Sequence, residues 1–266
     1  MHGAPMARKT QLLSLPGRLL CLLLLCVSAP ISAQDAAILC YHRFAPGAVD
    51  SMTLRTAVFE QQISRLRAEG YRFLPLQAVL DGLYHGAPLP DKAIAITVDD
   101  GHRSVYTELR PIIVREQLPV TLFIYPSAIS NASYAMTWEQ LAEMQQIPDV
   151  DIESQTYWHP NFSTEKRRLS PEAYAAFVEK QLTLPRTILN RKLGVNATLL
   201  AWPFGIRDAT LDQAAASAGY RYAFTIDGRH AHAGDPPYAI PRYLVVDAQG
   251  VDGLLERIAA AEPTRQ

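Results

Sequence analysis

Cysteine is scarce in this sequence, and neither sign of charge is in excess. The chain has three cysteines in 266 residues, and two of them, Cys21 and Cys26, lie in an N-terminal segment that we expect to be removed. The mature chain would keep Cys40 alone, which excludes an internal disulfide and leaves a thiol that we expect to pack as a small apolar side chain. The formal net charge is −1, from 25 basic and 26 acidic residues. A chain without a basic stripe matches phosphate backbones poorly, so nucleic acid is excluded as an expected partner.

Long apolar runs are also lacking, and the run near the N-terminus is short. Two basic residues precede an apolar stretch at residues 19–27, and small residues follow it. This order is typical of a secretory signal peptide, and the stretch is shorter than the roughly 20 residues that a membrane-spanning helix needs. We expect residues 1–33 to be cleaved after Ala33, with a retained anchor as the alternative. Residues 34–266 would form an exported domain, periplasmic or secreted, with no stable membrane anchor.

Seven short β-branched or apolar runs alternate with longer stretches that carry helix start and stop signals. Such alternation favours a parallel α/β architecture. The sequence shows no internal repeat, low-complexity tract or linker that would divide it. We predict an α/β fold, a distorted (β/α) barrel of about seven parallel strands in a single domain. The predicted strands lie at residues 38–42, 72–76, 93–98, 120–125, 150–154, 199–202 and 222–226.

Two adjacent carboxylates, Asp99 and Asp100, follow the apolar run at residues 93–98 and precede Gly101. Polar residues at the carboxyl ends of parallel strands are candidates for a site, because α/β folds gather their chemistry there. Burying two like charges side by side is costly without a cation. One carboxylate can therefore bind a metal while the other faces the water that the metal activates. An ordinary turn is the alternative, but His159, near the end of another predicted strand, supplies an imidazole that favours a site.

Three sequence motifs resemble those of the polysaccharide deacetylases of the NodB-homology type. Residues 97–101, Thr-Val-Asp-Asp-Gly, resemble T-[FV]-D-D-G, and residues 155–160, Gln-Thr-Tyr-Trp-His-Pro, resemble H-[ST]-x-x-H-P. Residues 201–205, Ala-Trp-Pro-Phe-Gly, are similar to R-x-P-[YF]-G. The motifs occur in the family's order, each at a predicted strand end, and the resemblance extends from Ile38 to about Val246. The arrangement looks most like that of the envelope poly-N-acetylglucosamine deacetylases.

The resemblance implies an activity and a set of residue roles. It implies hydrolysis of N-acetyl groups on an acetylated envelope or extracellular polysaccharide of the N-acetylglucosamine type, with release of acetate. Asp99 would be the general base, Asp100 and His159 would hold a divalent metal ion, and the backbone N–H of Phe204 would bind the oxyanion. Zinc is the expected metal, with cobalt, nickel or manganese as alternatives. Amide hydrolysis needs each of these parts: an activated water, a base, an oxyanion donor and an acid for the leaving amine.

The sequence departs from the family pattern at two motif positions. Gln155 replaces the first metal-binding His, and an amide oxygen is a poorer zinc ligand than imidazole. Gln155 would ligate through its side-chain oxygen, leave the position to water, or mark a site that has lost its chemistry. Ala201 replaces the Arg that orients the base in the family. Arg242, near the carboxyl end of the chain, is the candidate for that role.

Two more site residues come from the resemblance. Many relatives place the acid His in an L-x-x-H sequence near the C-terminus, and here that pattern occurs at residues 39–42 on the first predicted strand. The first and last strands of a closed barrel are neighbours, so His42 would reach the same site as the general acid. A purely structural histidine is the alternative. Trp202 is the aromatic residue that we expect to contact sugar.

Two other functions remain open at this point. Gln155 and Ala201 motivate a degenerate deacetylase domain that binds glycan as an envelope module without turning it over. Retention of both Asp99 and Asp100, which would be costly side by side without a metal, favours a catalyst. The other alternative keeps the metal but hydrolyses a different amide or an O-acetyl ester.

Overall fold

Short strands and helices alternate along the residues that the computed structural model describes, which are 1–3, 34–47 and 49–260. The strands are β1 (Asp35–Tyr41), β2 (Arg43–Ala45), β3 (Thr53–Arg55), β4 (Arg72–Phe73), β5 (Ala93–Asp99), β6 (Val120–Ile124), β7 (Val150–Ser154), β8 (Leu199–Ala201), β9 (Tyr222–Phe224), β10 (Ala231–His232) and β11 (Tyr243–Leu244). The helices are α1 (Thr56–Ala68), α2 (Leu76–His85), α3 (Arg110–Glu116), α4 (Trp138–Met144), α5 (Phe162–Arg168), α6 (Pro171–Leu193), α7 (Ala209–Ser217) and α8 (Asp252–Ala260). A π-helical turn precedes α3, and short 3-10 turns occur at Pro203–Gly205 and Asp247–Gln249.

The predicted signal peptide falls almost entirely outside the described residues, since residues 4–33 are not among them. Cleavage and export therefore stay predictions. Within the described ranges, no helix combines the length and the apolar character that a membrane crossing requires. The fold set out below is that of the compact unit Ala33–Gln266.

One curled, mostly parallel sheet forms the centre of this unit. Its main path runs in the order β10-β1-β5-β6-β7-β8-β9, with β10 antiparallel to β1 and the other neighbours parallel. The α/β fold class and the single domain with about seven mostly parallel strands are thus confirmed. The predicted strand at residues 72–76 is shorter than expected. It forms β4, which pairs with the start of β5 and lies off the main path.

The segment after β10 fills the gap between β9 and β1. Phe224, at the end of β9, forms a parallel bridge with Ile240, and β11 pairs in parallel with β1. Residues 240–244 therefore connect the two ends of the sheet, as expected if the first and last strands of a barrel are neighbours. Arg242 lies in the middle of this closing segment and is fully buried.

Side-chain alternation along β5 explains how polar groups reach the inner face of the curl. All seven residues of β5 are buried, so the strand is covered on both faces, as is usual for parallel strands. Its Ile and Val side chains pack in the larger apolar cluster. Ala93 and Ala95 pack on the opposite face in a cluster that includes Phe123. Because strand side chains alternate with a period of two, Thr97 and Asp99 share the face of these alanines and approach Arg242.

Candidate active site

A buried ion pair between Asp99 and Arg242 lies at the centre of the site. Arg242 is 0 % exposed and Asp99 is 2 % exposed. The guanidinium donates from Nη1 to Oδ1 at 2.8 Å and from Nη2 to Oδ2 at 2.7 Å, and it also donates to Thr97 Oγ1 and to the carbonyl of Thr225. Burial alone would raise the pKa of Asp99, but the charge and hydrogen bonds of Arg242 outweigh it and hold that pKa below its usual value. Arg242 therefore fixes the plane of the carboxylate and keeps it ionised.

Asp100 lies next to Asp99 in a different setting. Its Oδ1 is buried and accepts no hydrogen bond from the described residues, and His159 Nε2 lies 3.7 Å from it. Burial lowers the pKa of His159, against the charges of Asp100 and Asp99, so the imidazole is held in the neutral form that binds metals. Two ligand atoms bonded to one zinc ion at about 2.1 Å lie about 3–4 Å apart. An unpaired carboxylate oxygen and a neutral imidazole at this spacing fit a divalent cation.

Gln155 connects the two carboxylates and is 2 % exposed. Its Oε1 accepts the backbone N–H of Asp100 at 2.9 Å, and its Nε2 donates to Asp99 Oδ2 at 3.3 Å. Both ends of the amide are therefore engaged within the site. Metal ligation by Gln155 stays a prediction, and in this geometry the amide would first have to release Asp100 or share its oxygen.

Two residues at the carboxyl end of β1 also lie in the site: Cys40 in the strand and His42 directly after it. Ligand atoms of Cys40, His42 and Asp99 all lie within 4.8 Å of one another, and His42 Nδ1 is buried without a hydrogen-bond partner among the described residues. The Cys40 thiol donates to Asp99 Oδ2 at 3.5 Å, and burial raises its pKa well above the usual value. A protonated thiol and a carboxylate already paired with Arg242 make this trio a poorer cation site than Asp100 with His159. The structure thus places His42 beside the candidate base.

Backbone strain is concentrated around these side chains. Four non-glycine residues here have left-handed φ angles: Asp100 at 74°, Thr156 at 66°, His159 at 60° and Phe204 at 59°. Such conformations cost about 1–3 kcal/mol each and persist where the surrounding structure enforces them, often at functional sites. The ring of Phe204 packs edge-on against His159 with centroids 4.7 Å apart. The strained turn after β8 therefore brings the Phe204 ring against the proposed metal ligand.

The expectation for Trp202 needs correction. Its side chain is 1 % exposed, its indole N–H donates to the carbonyl of Tyr238 at 3.0 Å, and its ring packs edge-on against Phe162. A ring buried in this way offers no face to a sugar. Exposed aromatic side chains occur instead at Tyr134, Trp158 and Phe204. Cys40, which the sequence predicts to be a packing residue, also contacts the site. Its position two residues before His42 in the predicted strand at residues 38–42 is the signal that points to this.

Several known proteins are similar to this chain in sequence. Residues 86–223 match the sequence model of a family described as polysaccharide deacetylase. The chain is 23 % identical over 258 residues to the poly-beta-1,6-N-acetyl-D-glucosamine N-deacetylase of Escherichia coli K12, covering 84 % of this chain and 38 % of that protein. It is 23 % identical over 203 residues to the protein of the same name from Staphylococcus aureus MRSA252, covering 75 % of this chain and 70 % of that one.

Solved structures share the fold. The deacetylase PplD of Streptococcus pyogenes, in complex with acetate, superposes with a TM-score of 0.76 at 21 % identity, over 87 % of this chain and 100 % of that one. IcaB from Ammonifex degensii superposes with a TM-score of 0.73 at 25 % identity, over 84 % of this chain and 97 % of that one. The chain therefore spans little more than a third of the Escherichia coli relative and nearly all of both solved structures.

Proposed function

The chain belongs to the polysaccharide deacetylase family, and we propose that it is a metal-dependent hydrolase that removes N-acetyl groups from an N-acetylglucosamine-type polysaccharide and releases acetate. The observation that carries the proposal is the contrast between the two adjacent carboxylates. Asp99 is held ionised by Arg242, whereas Asp100 leaves a buried oxygen without a partner 3.7 Å from His159. One carboxylate is thus arranged to take a proton and the other to bind a cation.

Asp100 and His159 are the residues that would hold the cation, with Gln155 as a further candidate. Zinc is the proposed ion, and cobalt, nickel or manganese are the alternatives, since an oxygen-containing ligand set also suits harder metals. When bound, a divalent ion polarises the acetyl carbonyl and makes a water molecule more acidic.

The remaining groups of the site would handle protons and charge. Each carboxylate oxygen has two lone pairs, so Asp99 can accept a proton from water while Arg242 keeps its orientation. As the water oxygen bonds to the acetyl carbon, the carbonyl oxygen becomes an oxyanion, and the backbone N–H of Phe204 would donate to it. His42, beside Asp99, would give a proton to the departing sugar amine. Cleavage of the amide C–N bond then leaves acetate and a free amine.

The names of the relatives support the proposed substrate, and the predicted signal peptide supports the proposed location. Two of them are named for the deacetylation of poly-beta-1,6-N-acetyl-D-glucosamine, and we propose an acetylated polysaccharide of this type as the partner of this chain. Export to the periplasm or the exterior agrees with such a polymer and with the predicted signal peptide.

The test is acetate release from N-acetylglucosamine oligomers by the purified chain, stripped of metal and reloaded separately with zinc, cobalt, nickel and manganese. We expect metal-dependent release that Asp100→Ala abolishes, because this change removes a proposed ligand. Asp252→Ala removes an exposed carboxylate in α8 and is the control that should keep wild-type activity. Release from O-acetyl but not N-acetyl substrates would reassign the activity to ester hydrolysis. If no metal supported acetate release while glycan binding was intact, the non-catalytic binding module would be favoured.

The cation affinity of Gln155 variants tests whether Gln155 is a metal ligand. Gln155→His should tighten zinc binding by about tenfold or more, because it adds an imidazole to a site that has one. Gln155→Ala should leave the affinity within a few-fold of wild type, because the amide is already engaged by Asp99 and Asp100. Competition with a chromogenic chelator measures both. A loss of zinc affinity in Gln155→Ala as large as that in Asp100→Ala would show that the amide is itself a ligand.

A further inference from the structure

Exposed aromatic side chains follow three neighbouring strands of the sheet that carries the site. Among the described residues, the large aromatics that remain exposed are Tyr134 (43 %), Trp158 (43 %) and Phe204 (57 %). They follow β6, β7 and β8, which are consecutive neighbours in the sheet. Carboxyl ends of parallel strands meet at one edge, with neighbours about 4.8 Å apart. Single exposed apolar side chains need no explanation, but one that is connected to a site by contacts is a candidate for binding.

Tyr134 is linked to the proposed metal ligand through a series of contacts. Its hydroxyl oxygen lies 2.9 Å from that of Tyr125, and the ring of Tyr125 lies 5.4 Å from that of His159. The ring of His159 in turn packs against that of Phe204, with centroids 4.7 Å apart. We call these four residues the aromatic strip. The strip leads from the exposed ring of Tyr134 to the position where the acetyl group would be cleaved.

The loop that follows β5 holds Tyr134 in place. The carbonyl of Tyr134 accepts the backbone N–H of Arg103 at 2.7 Å. Its ring lies nearly parallel to that of His102, with centroids 6.2 Å apart and an interplanar angle of 9°, and His102 Nδ1 lies 2.8 Å from Ser104 Oγ. A partly exposed ring fixed by its backbone, its hydroxyl and a stacked neighbour needs little ordering when a ligand binds.

We propose that Tyr134 is a stacking platform for the sugar unit next to the one being deacetylated, so that the site binds a chain of N-acetylglucosamine units. The assignment rests on the proposed function. Pyranose rings have apolar C–H faces, and Tyr combines a large apolar ring with a polar tip. Ligand sites typically join such apolar surfaces to a few oriented polar groups. Tyr134 supplies the apolar surface at one end of the aromatic strip, and the carboxylates supply the polar groups at the other.

The experiment measures binding separately from turnover. N-acetylglucosamine and its hexamer are titrated into the metal-stripped chain, so that the result does not require acetate release. Tyr134→Ala should weaken hexamer binding about five- to tenfold and leave the binding of the single sugar unchanged, because an aromatic contact is lost at the neighbouring unit only. Tyr134→Phe keeps the ring and should stay within about twofold of wild type. Val114→Ala, at an exposed apolar residue of α3, is the matched control and should change neither.

Steady-state kinetics with the hexamer give a second measurement. In the metal-loaded chain, Tyr134→Ala should raise KM for the hexamer by the same factor while kcat stays near wild type. The proposal would be wrong if Tyr134→Ala bound the hexamer with wild-type affinity. It would also be wrong if the variant bound the monomer and the hexamer with equally weakened affinity. If the wild-type chain bound the hexamer but released no acetate, the proposed function would fail while the binding titrations still decided the role of Tyr134.

Discussion

Asp99→Asn is expected to lower kcat for acetate release by about 10²- to 10⁴-fold, the usual contribution of a positioned general base. The amide that replaces the carboxylate has nearly the same shape but cannot accept the proton of water at neutral pH. Arg242, which donates to both carboxylate oxygens, would keep one good acceptor and lose the other. Initial rates with N-acetylglucosamine oligomers give the effect, and circular dichroism shows whether the fold persists.

The neighbouring carboxylate provides the matched comparison. Asp100→Asn should lose cation affinity, whereas Asp99→Asn should bind the cation nearly as wild type does, because Asp100 and His159 remain. The two variants thus separate proton transfer from metal binding, although the residues are adjacent in sequence. Retention of more than about a tenth of wild-type kcat by Asp99→Asn would remove Asp99 from the role of base.

Much of the fold could be predicted from local pattern. Strands such as β5 and β6 are continuous apolar runs bounded by turn residues, and these signals are sufficient to locate a parallel sheet. Asp99 and Asp100 could also be found from local pattern, because two adjacent carboxylates directly after a buried strand are unusual. Arg242 could be proposed from its position late in the chain. Its contact with Asp99 depends on the closing segment at residues 240–244. One two-residue strand and a single bridge define this segment, which is too little for a sequence pattern to predict.

The burial of Trp202, which the sequence did not predict, and the contacts of Gln155 both depend on residues far apart in sequence. Trp202 follows β8 like the other site residues, but the loop that carries Tyr238 covers it and accepts its indole N–H. Gln155 stands at a motif position, and its side chain turns toward the carboxylates because the backbone N–H of Asp100 needs an acceptor. Neither outcome is encoded in a local pattern. Each is decided by which loop packs over a strand end.

Arg242→Met is expected to destabilise the fold by about 3–5 kcal/mol, because it leaves Asp99 buried without its partner. The guanidinium is fully buried and lies over the rings of Phe123 and Phe224, at 5.3 and 5.8 Å from their centroids. Methionine fills part of this apolar space but compensates no charge. Denaturant unfolding of the metal-stripped chain at pH 7 measures the loss. Arg242→Lys should also be destabilising, since an ammonium group cannot reproduce the paired hydrogen bonds.

The double variant Asp99→Asn with Arg242→Met tests whether the cost comes from the unpaired charge. It should recover most of the stability lost in Arg242→Met but none of the activity, because the charge is gone and so is the base. The pH dependence has a definite sign. In the wild-type chain the pKa of Asp99 is lower folded than unfolded, so the pair stabilises fully above about pH 4 and this contribution is lost as the pH falls through the folded pKa. In Arg242→Met the burial of Asp99 is opposed mainly by the weaker hydrogen bonds from Cys40 and Gln155 and raises that pKa. The difference in stability from wild type should therefore shrink as the pH falls toward 4. A difference that stays constant between pH 7 and pH 4 would mean that Arg242 acts by packing, and that something other than its charge keeps Asp99 ionised.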